Sequence, residues 1–280
     1  MCGRINVSDH EGLRALLAMM GMQVWPITAP RFNVAPSAII DVITLTANTP
    51  AARPVVSQHD TLALQKMRWG FAANAQSKNT RMLFNARSET VFSKPAFRAS
   101  AHHRRALVPI NGFYEWLAAS TGRKRAFYIA QKHKPALALA AIYQIHVPSA
   151  PKPVKMDSPN QHRTASQMSL EFTDDVDLKK IQPPEDKAPS NHLAPVNDVC
   201  VLTMPANQQM SAIHERMPFV LEPAQAQRWL REGSDEMLAT LRDGAARTVF
   251  DIKEVNGSVN SAANDGPECL SPANENDTTD

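Results

Sequence analysis

No run of apolar residues in this 280-residue chain approaches the ~18 residues that a membrane-spanning helix needs, and the longest clear one extends only from Ala136 to Tyr143. No contact with a membrane is expected. The start, Met1-Cys2-Gly3-Arg4-Ile5-Asn6, lacks the basic segment and apolar stretch of a secretory signal, so a cytoplasmic location is expected. Cysteine is scarce. Cys2, Cys200 and Cys269 form no CxxC pair, which argues against disulfides and leaves a free thiol to be explained. His146, His162 and His192 match no zinc-ligand spacing, and neither metal nor cofactor is expected. There is no internal repeat. What remains is ordinary globular composition, 43% apolar and 20% charged, in a chain long enough for one large domain or two small ones.

The net charge of +3 conceals a polarity. Residues 1–135 carry 18 Lys/Arg against 6 Asp/Glu, or +12, whereas residues 136–280 carry 12 against 21, or −9. The densest basic clusters are Arg98 with His102, His103, Arg104 and Arg105, then Arg123-Lys124-Arg125. Such clusters suit a phosphate backbone, because neutralising phosphates releases condensed counterions. A basic face that is merely solvated is the competing reading.

Leu13, Leu16, Leu17 and Met20 recur at helical spacing behind the capping candidates Ser8 and Asp9, with Gly21 as a stop, so a helix near 9–20 is expected. Short β-branched or alternating runs follow at 38–45, 67–71, 82–84, 106–110, 113–116, 126–130 and 136–143. Because they do not alternate regularly with helices, the expected class is α+β: a mixed curved β-sheet forming a barrel-like core with flanking helices. Between 145 and 197, eight of the chain's 21 prolines mingle with Ser, Gln, Asn and Lys, which reads as a flexible insert. Strands are expected again at 199–203, 217–221 and 247–255, with a short helix opened by Pro205 and amphipathic helices at 223–231 and 234–241. Beyond Asn256 the polar composition reads as frayed. The expected organisation is one domain over 1–260, interrupted at 145–197, with a polar tail at 261–280.

Cys2 is the most informative residue. Removal of Met1 would leave a 1,2-aminothiol whose amine titrates near ~8 and whose thiol near ~8.5, so both nucleophiles are partly available at neutral pH. Two chemistries follow: thiol attack on an acyl carbon with the amine as base, or condensation of the amine with an aldehyde followed by closure to a thiazolidine. The plain alternative is an ordinary cysteine on a frayed terminus. Other polar residues stand inside apolar or glycine-rich strings: Asn85 and Arg87 in Phe84-Asn85-Ala86-Arg87, Glu115 between Tyr114 and Trp116, and His214 and Arg216 ahead of Met217-Pro218. A carboxylate flanked by two large aromatics is a candidate for burial and a raised pKa, which would let it donate a proton.

Six blocks occur in order: Met1-Cys2-Gly3-Arg4; Arg31-Phe32-Asn33-Val34-Ala35-Pro36-Ser37; Arg68-Trp69-Gly70-Phe71; Asn85-Ala86-Arg87-Ser88-Glu89-Thr90; Arg105 to Ile110 running into Gly112-Phe113-Tyr114-Glu115-Trp116; and His214-Glu215-Arg216-Met217-Pro218. Together they resemble the SRAP family, the SOS-response-associated peptidases or abasic-site processing proteins. The resemblance spans roughly residues 1–144 and 199–260. It implies a monomeric protein with a basic channel for single-stranded DNA, whose Cys2 amine and thiol trap the aldehyde of an abasic site as a covalent thiazolidine and shield it from strand cleavage. By the same resemblance Glu115 would manage protons, His214 would act in proton transfer and crosslink reversal, and Asn85 would hold the Cys2 end and the sugar. Arg4, Arg87 and Arg216 would clamp phosphates, while Asn33, Trp69 and Trp116 would shape the channel and offer surfaces to bases. The family's peptidase activity removes residues ahead of the cysteine, and here only Met1 precedes it.

Two departures stand out. Members usually follow Trp-Gly with a proline and a second tryptophan, whereas Phe71 is followed by Ala72-Ala73-Asn74-Ala75, and the 145–197 stretch exceeds the usual connection. Two rival functions also fit part of the sequence. Glutamine amidotransferases share the Met-Cys-Gly start, and Asn111-Gly112 resembles their oxyanion-hole pair, although no further glutamine-binding block is present. A non-catalytic single-strand binder would use the basic half alone.

Overall fold

A computed structural model describes residues 2–22, 29–46, 61–72, 82–118, 124–145 and 197–273. In chain order the elements are β1 (Arg4–Val7), α1 (His10–Met19), β2 (Arg31–Val34), β3 (Ile39–Thr46), β4 (Thr61–Trp69), β5 (Phe71–Ala72), β6 (Met82–Leu83), β7 (Asn85–Arg87), α2 (Pro95–His103) and β8 (Arg105–Ile110). They continue with β9 (Gly112–Ala118), β10 (Lys124–Gln131), β11 (Leu137–Gln144), β12 (Asp198–Pro205), β13 (Arg216–Pro218), β14 (Val220–Leu221), α3 (Pro223–Arg231), α4 (Asp235–Ala245) and β15 (Phe250–Val255). The expected insert falls almost wholly on residues outside the described ones, as do Ala73-Asn74-Ala75.

β8, β11 and β12 are buried along nearly their whole length. Burial on both faces is why their sequences read as continuous apolar strings rather than alternating ones. They belong to a sheet ordered β13-β12-β4-β3-β8-β11-β14, in which β11 also pairs with β12 and so closes β12-β4-β3-β8-β11 into a ring. This is the barrel-like core of the expected α+β class. A second sheet, ordered β15-β10-β9-β1-β2, holds β1 between β9 and β2. Helix α1 begins where Asp9 accepts from the Gly12 N–H at 3.0 Å, and it turns Leu13, Leu16 and Leu17 into the core.

Several elements differ from the sequence reading. Helix α2 was not expected, because its residues bury only Ser100 and Ala101 and carry little apolar periodicity. Pro205 ends β12 instead of opening a helix, and a single 3₁₀ turn follows at Met210–Ala212. The run at 217–221 divides at Phe219, whose N–H donates to Leu202 while its carbonyl accepts from Ala140; β13 thereby pairs with β12 and β14 with β11.

The segment after β15 is also not frayed. Residues 257–273 fold back in two 3₁₀ turns, Gly257–Asn260 and Pro267–Leu270, with Val259 and Cys269 fully buried. Polar composition concealed this order because the segment is fastened mainly by hydrogen bonds rather than by apolar area. Asp265 accepts from the N–H groups of Phe32 and Asn33, each at 2.7 Å, and from Arg31 Nε at 2.8 Å. These bonds cover the outer edge of the five-stranded sheet, where an unpaired strand would otherwise present free N–H groups.

Candidate active site

Two strand pairings bring the site together. Antiparallel pairing of β1 with β9 sets Arg4 opposite Tyr114, so Glu115 lies beside the start of the chain. Parallel pairing of β7 with β12 sets Asn85 opposite Val201, and Asn85 Nδ2 donates to the Cys2 carbonyl at 2.7 Å. The Asn85 strand is itself anchored from behind. Trp69 Nε1 donates to the Phe84 carbonyl at 3.0 Å, and Gly70, at φ +129°, turns the chain where an added Cβ would strike Met82 Cε at 2.9 Å.

Cys2 is fully buried within the main core cluster. Burial and the negative charge of Glu115 push its thiol well above the ordinary range, only partly opposed by the amino terminus and the Arg4 N–H. Glu115 is 2% exposed. Burial raises its carboxyl too, opposed first by the nearby amino terminus and then by the neighbouring His214. A carboxyl whose proton is held more tightly than usual is placed to hand it on to a reacting group. Asn85 Oδ1 is buried and accepts no hydrogen bond among the described residues. A buried acceptor left open beside a nucleophile is a place for a donor from a ligand.

His214 follows the Met210–Ala212 turn, and its Nδ1 accepts from the Arg216 N–H at 2.9 Å. In the neutral ring that bond places the proton on Nε2. Arg216 is buried. Its Nη2 donates to the Thr203 carbonyl at 2.7 Å and to Glu89 Oε2 at 2.9 Å, and its Nη1 donates to Glu89 Oε1. Burial opposes ionisation of Glu89, but the hydrogen bonds and charge of Arg216 outweigh it and hold the carboxyl down to about 2.

The ten residues expected at the site fall into three groups. Cys2, Asn85, Glu115 and His214 converge as described. Arg87, two residues beyond Asn85 on the same side of β7, is exposed. Arg4 lies with its guanidinium carbon 5.8 Å from the centre of the half-buried Trp116 ring. The remaining three lie inside. Trp69 is fully buried, edge-on to Phe84, and presents no surface to a base. Asn33 is 1% exposed and binds inward: its Nδ2 donates to Val259, Ser261 and Asn264 carbonyls, and its Oδ1 accepts from Arg4. Arg216 is neutralised by Glu89 instead of standing open to phosphate. Their block residues hold the fold that carries the site. The sequence reading missed Glu89 as the partner of Arg216. It also missed Asn260, which accepts from Trp116 Nε1 at 2.7 Å.

The amidotransferase pair is structurally committed. Asn111 donates to the Asp9 and Pro135 carbonyls and accepts from the Asp9 N–H, each at 3.0 Å, so its amide is unavailable to an oxyanion. Gly112 packs so closely on Tyr128 that a Cβ would lie 2.5 Å from the ring.

The fold and site define an α+β protein with a buried near-terminal cysteine flanked by an amide, a carboxyl and an imidazole. The chain belongs to the SOS response associated peptidase (SRAP) family, whose sequence profile matches residues 1–262. The abasic site processing protein YoqW of Bacillus subtilis is 24% identical over 246 residues, covering 86% of this chain and 85% of its own. YedK of Escherichia coli, also an abasic site processing protein, is 24% identical over 97% of this chain and all of its own. The abasic site processing protein HMCES of Gallus gallus is 28% identical over 75% of this chain and 57% of its own. A solved protein structure from Bacteroides thetaiotaomicron shares the fold with TM-score 0.63 at 18% identity, covering 98% of this chain and all of that one. Among the described residues no helix is long and apolar enough to cross a membrane.

Proposed function

We propose that this chain processes abasic sites in single-stranded DNA by capturing them covalently through Cys2, acting as a monomer. The observation that carries the reading is the convergence of Asn85 and Glu115, from separate strands, on a buried Cys2. Family membership and relatives named for abasic site processing supply the substrate.

With Met1 removed, the Cys2 amine attacks the C1′ aldehyde of the ring-opened sugar. The carbinolamine hydroxyl takes a proton from Glu115 and leaves as water, giving an iminium that keeps its N–H. The Cys2 thiol then adds to the iminium carbon, forming the C–S bond and returning its proton to the Glu115 carboxylate, while the C=N electron pair comes back to the nitrogen. One water leaves, and no electrons are exchanged. The elevated thiol pKa favours this order, because burial holds the sulfur as S–H and leaves the amine to attack first. Asn85 fixes the Cys2 carbonyl with its NH2 and offers Oδ1 to the amine or to a sugar hydroxyl. His214 Nε2–H serves the sugar oxygen during ring opening and in reversal. Arg87 and Arg4 face the strand, and the DNA-protein adduct shields the lesion from cleavage.

The test is a denaturing gel of untagged protein with an oligonucleotide carrying one abasic site. A slow, heat-stable band is expected with wild-type protein only, absent with undamaged DNA and with Cys2→Ala. Reversible binding by the Cys2→Ala variant should persist. A band formed equally by that variant would overturn the mechanism.

A further inference from the structure

Asn260 stands beside the site with its orientation fixed by chemistry. An indole N–H can only donate, so the Asn260 oxygen must face Trp116 Nε1, which it does at 2.7 Å. The amide NH2 is thereby turned away from Trp116. It approaches Gly257, where even an added Cβ would lie only 3.3 Å from Nδ2, and it has no acceptor among the described residues. The Asn260 residue is exposed, and its carbonyl receives Arg4 Nη2 at 3.4 Å. Asn260 therefore bridges Arg4 and Trp116 and still holds two unspent donors.

Those donors open onto a small polar cleft lined by Lys124, Arg125, Glu254, Gly257 and Asn260. Ala126, which also lines the cleft, pairs with Trp116, so the cleft adjoins that residue. Charge within it favours an anion. Glu254 is neutralised by Arg125, whose Nε donates to it at 2.8 Å, while Lys124 is exposed and joins no ion pair among the described residues. The strap that carries Asn260 is rigidly held, because Asp265 grips the β2 backbone and Asn33 grips three strap carbonyls.

We infer that Asn260 and Lys124 form a phosphate subsite for the DNA strand flanking the captured nucleotide. This rests on the reading of the chain as a single-strand DNA protein. The amide donates to a non-bridging phosphate oxygen, Lys124 supplies the charge, and Trp116 between them offers its ring to the adjoining base.

Asn260→Asp separates this role from mere support of Trp116. The aspartate still accepts from the indole but replaces the NH2 with a negative charge, whereas Asn260→Ala removes both functions. Crosslinking of abasic oligonucleotide is followed over a range of DNA concentrations. The half-saturating concentration should rise about tenfold in Asn260→Asp and less in Asn260→Ala, with the plateau rate kept. Lys124→Gln should reduce the salt dependence of reversible binding by about 0.7 in log–log slope. Wild-type behaviour of Asn260→Asp, alongside impairment of Asn260→Ala, would show that the residue only props up Trp116 and would overturn the subsite. Absence of any crosslink from wild-type protein would instead strike the underlying functional reading.

Discussion

The arginines of the basic N-terminal half divide into two regions that use the same side chain in opposite ways. Where α2 and α3 end side by side, Arg105 is buried and directs its guanidinium wholly inward. Nε and Nη2 donate to the Trp229 and Leu230 carbonyls at 2.7 and 3.1 Å, and Nη1 donates to Ala101 and His102 at 3.2 and 2.6 Å. One cation thus caps two helix C-termini, where unsatisfied carbonyls and the helix dipole both favour positive charge. Gly233 makes room for it, since a Cβ there would lie 2.2 Å from Nη1. At the mouth of the site, Arg87 is exposed and joins no ion pair among the described residues. The excess of +12 over residues 1–135 therefore overstates the charge that can meet an anion. Counting arginines locates a basic half, and only packing says which of them are already committed.

The sharpest way to break the contrast is Arg105→Met. The substitution keeps apolar volume but orphans four carbonyls at once, and a loss of about 4 kcal/mol in urea unfolding is expected. Crosslinking by the folded fraction should be unchanged. A loss below about 1 kcal/mol would mean that water replaces the guanidinium and that the buried arginine is dispensable.

Glu89 and Arg216 give a second, smaller effect with a pH signature. Glu89→Gln leaves the Arg216 guanidinium buried beside a neutral partner, at an expected cost of about 2 kcal/mol after allowing for the partial exposure of Glu89. The folded carboxyl titrates at about 2, below its ordinary value of 4.5. Its contribution is therefore complete above 4.5 and is lost as pH falls toward 2. The stability gap between wild type and Glu89→Gln should close over that window. A gap that persists unchanged at the acid end would show that the charge of Glu89 is not what matters.

How much was legible in the sequence follows the same division between apolar and polar interactions. The interior strands β8, β11 and β12 were readable because burial on both faces forces uninterrupted apolar strings. Helix α3 matches its expected span of 223–231, since Pro223 opens it and Ala226, Trp229 and Leu230 mark one face. Glu115 was legible as a buried carboxyl because Tyr114 and Trp116 flank it, and its exposure is only 2%. Elements held by polar bonds were not legible. The strap at 257–273 read as a tail because Asn33, Asn264 and Asp265 fasten it through partners more than two hundred residues apart in the chain, or within a turn, with no periodic pattern to follow. Its signal was weaker: the turn-formers Gly257 and Pro267, each two residues ahead of an isolated apolar residue, Val259 and Cys269. Trp69 misled for a related reason, since an aromatic in a signature block suggests a surface, yet its indole serves the Phe84 carbonyl.

The smallest stability effect belongs to Arg87, and it tests the exposed side of the comparison. Its side chain makes no bond to the rest of the fold among the described residues, so Arg87→Gln should leave unfolding within about 0.5 kcal/mol of wild type. Its position two residues beyond Asn85 places it on the same side of β7 as the site, where the proposed function would bring in a DNA strand. Reversible binding of undamaged single-stranded DNA should therefore weaken, and the log–log dependence on salt should flatten by about 0.7, the amount expected for one lost phosphate contact. Arg105→Met should leave that slope untouched in the folded protein. If Arg87→Gln keeps the wild-type slope, exposure of the guanidinium does not by itself make it a DNA contact, and the path of the strand must leave the site on the Arg4 side.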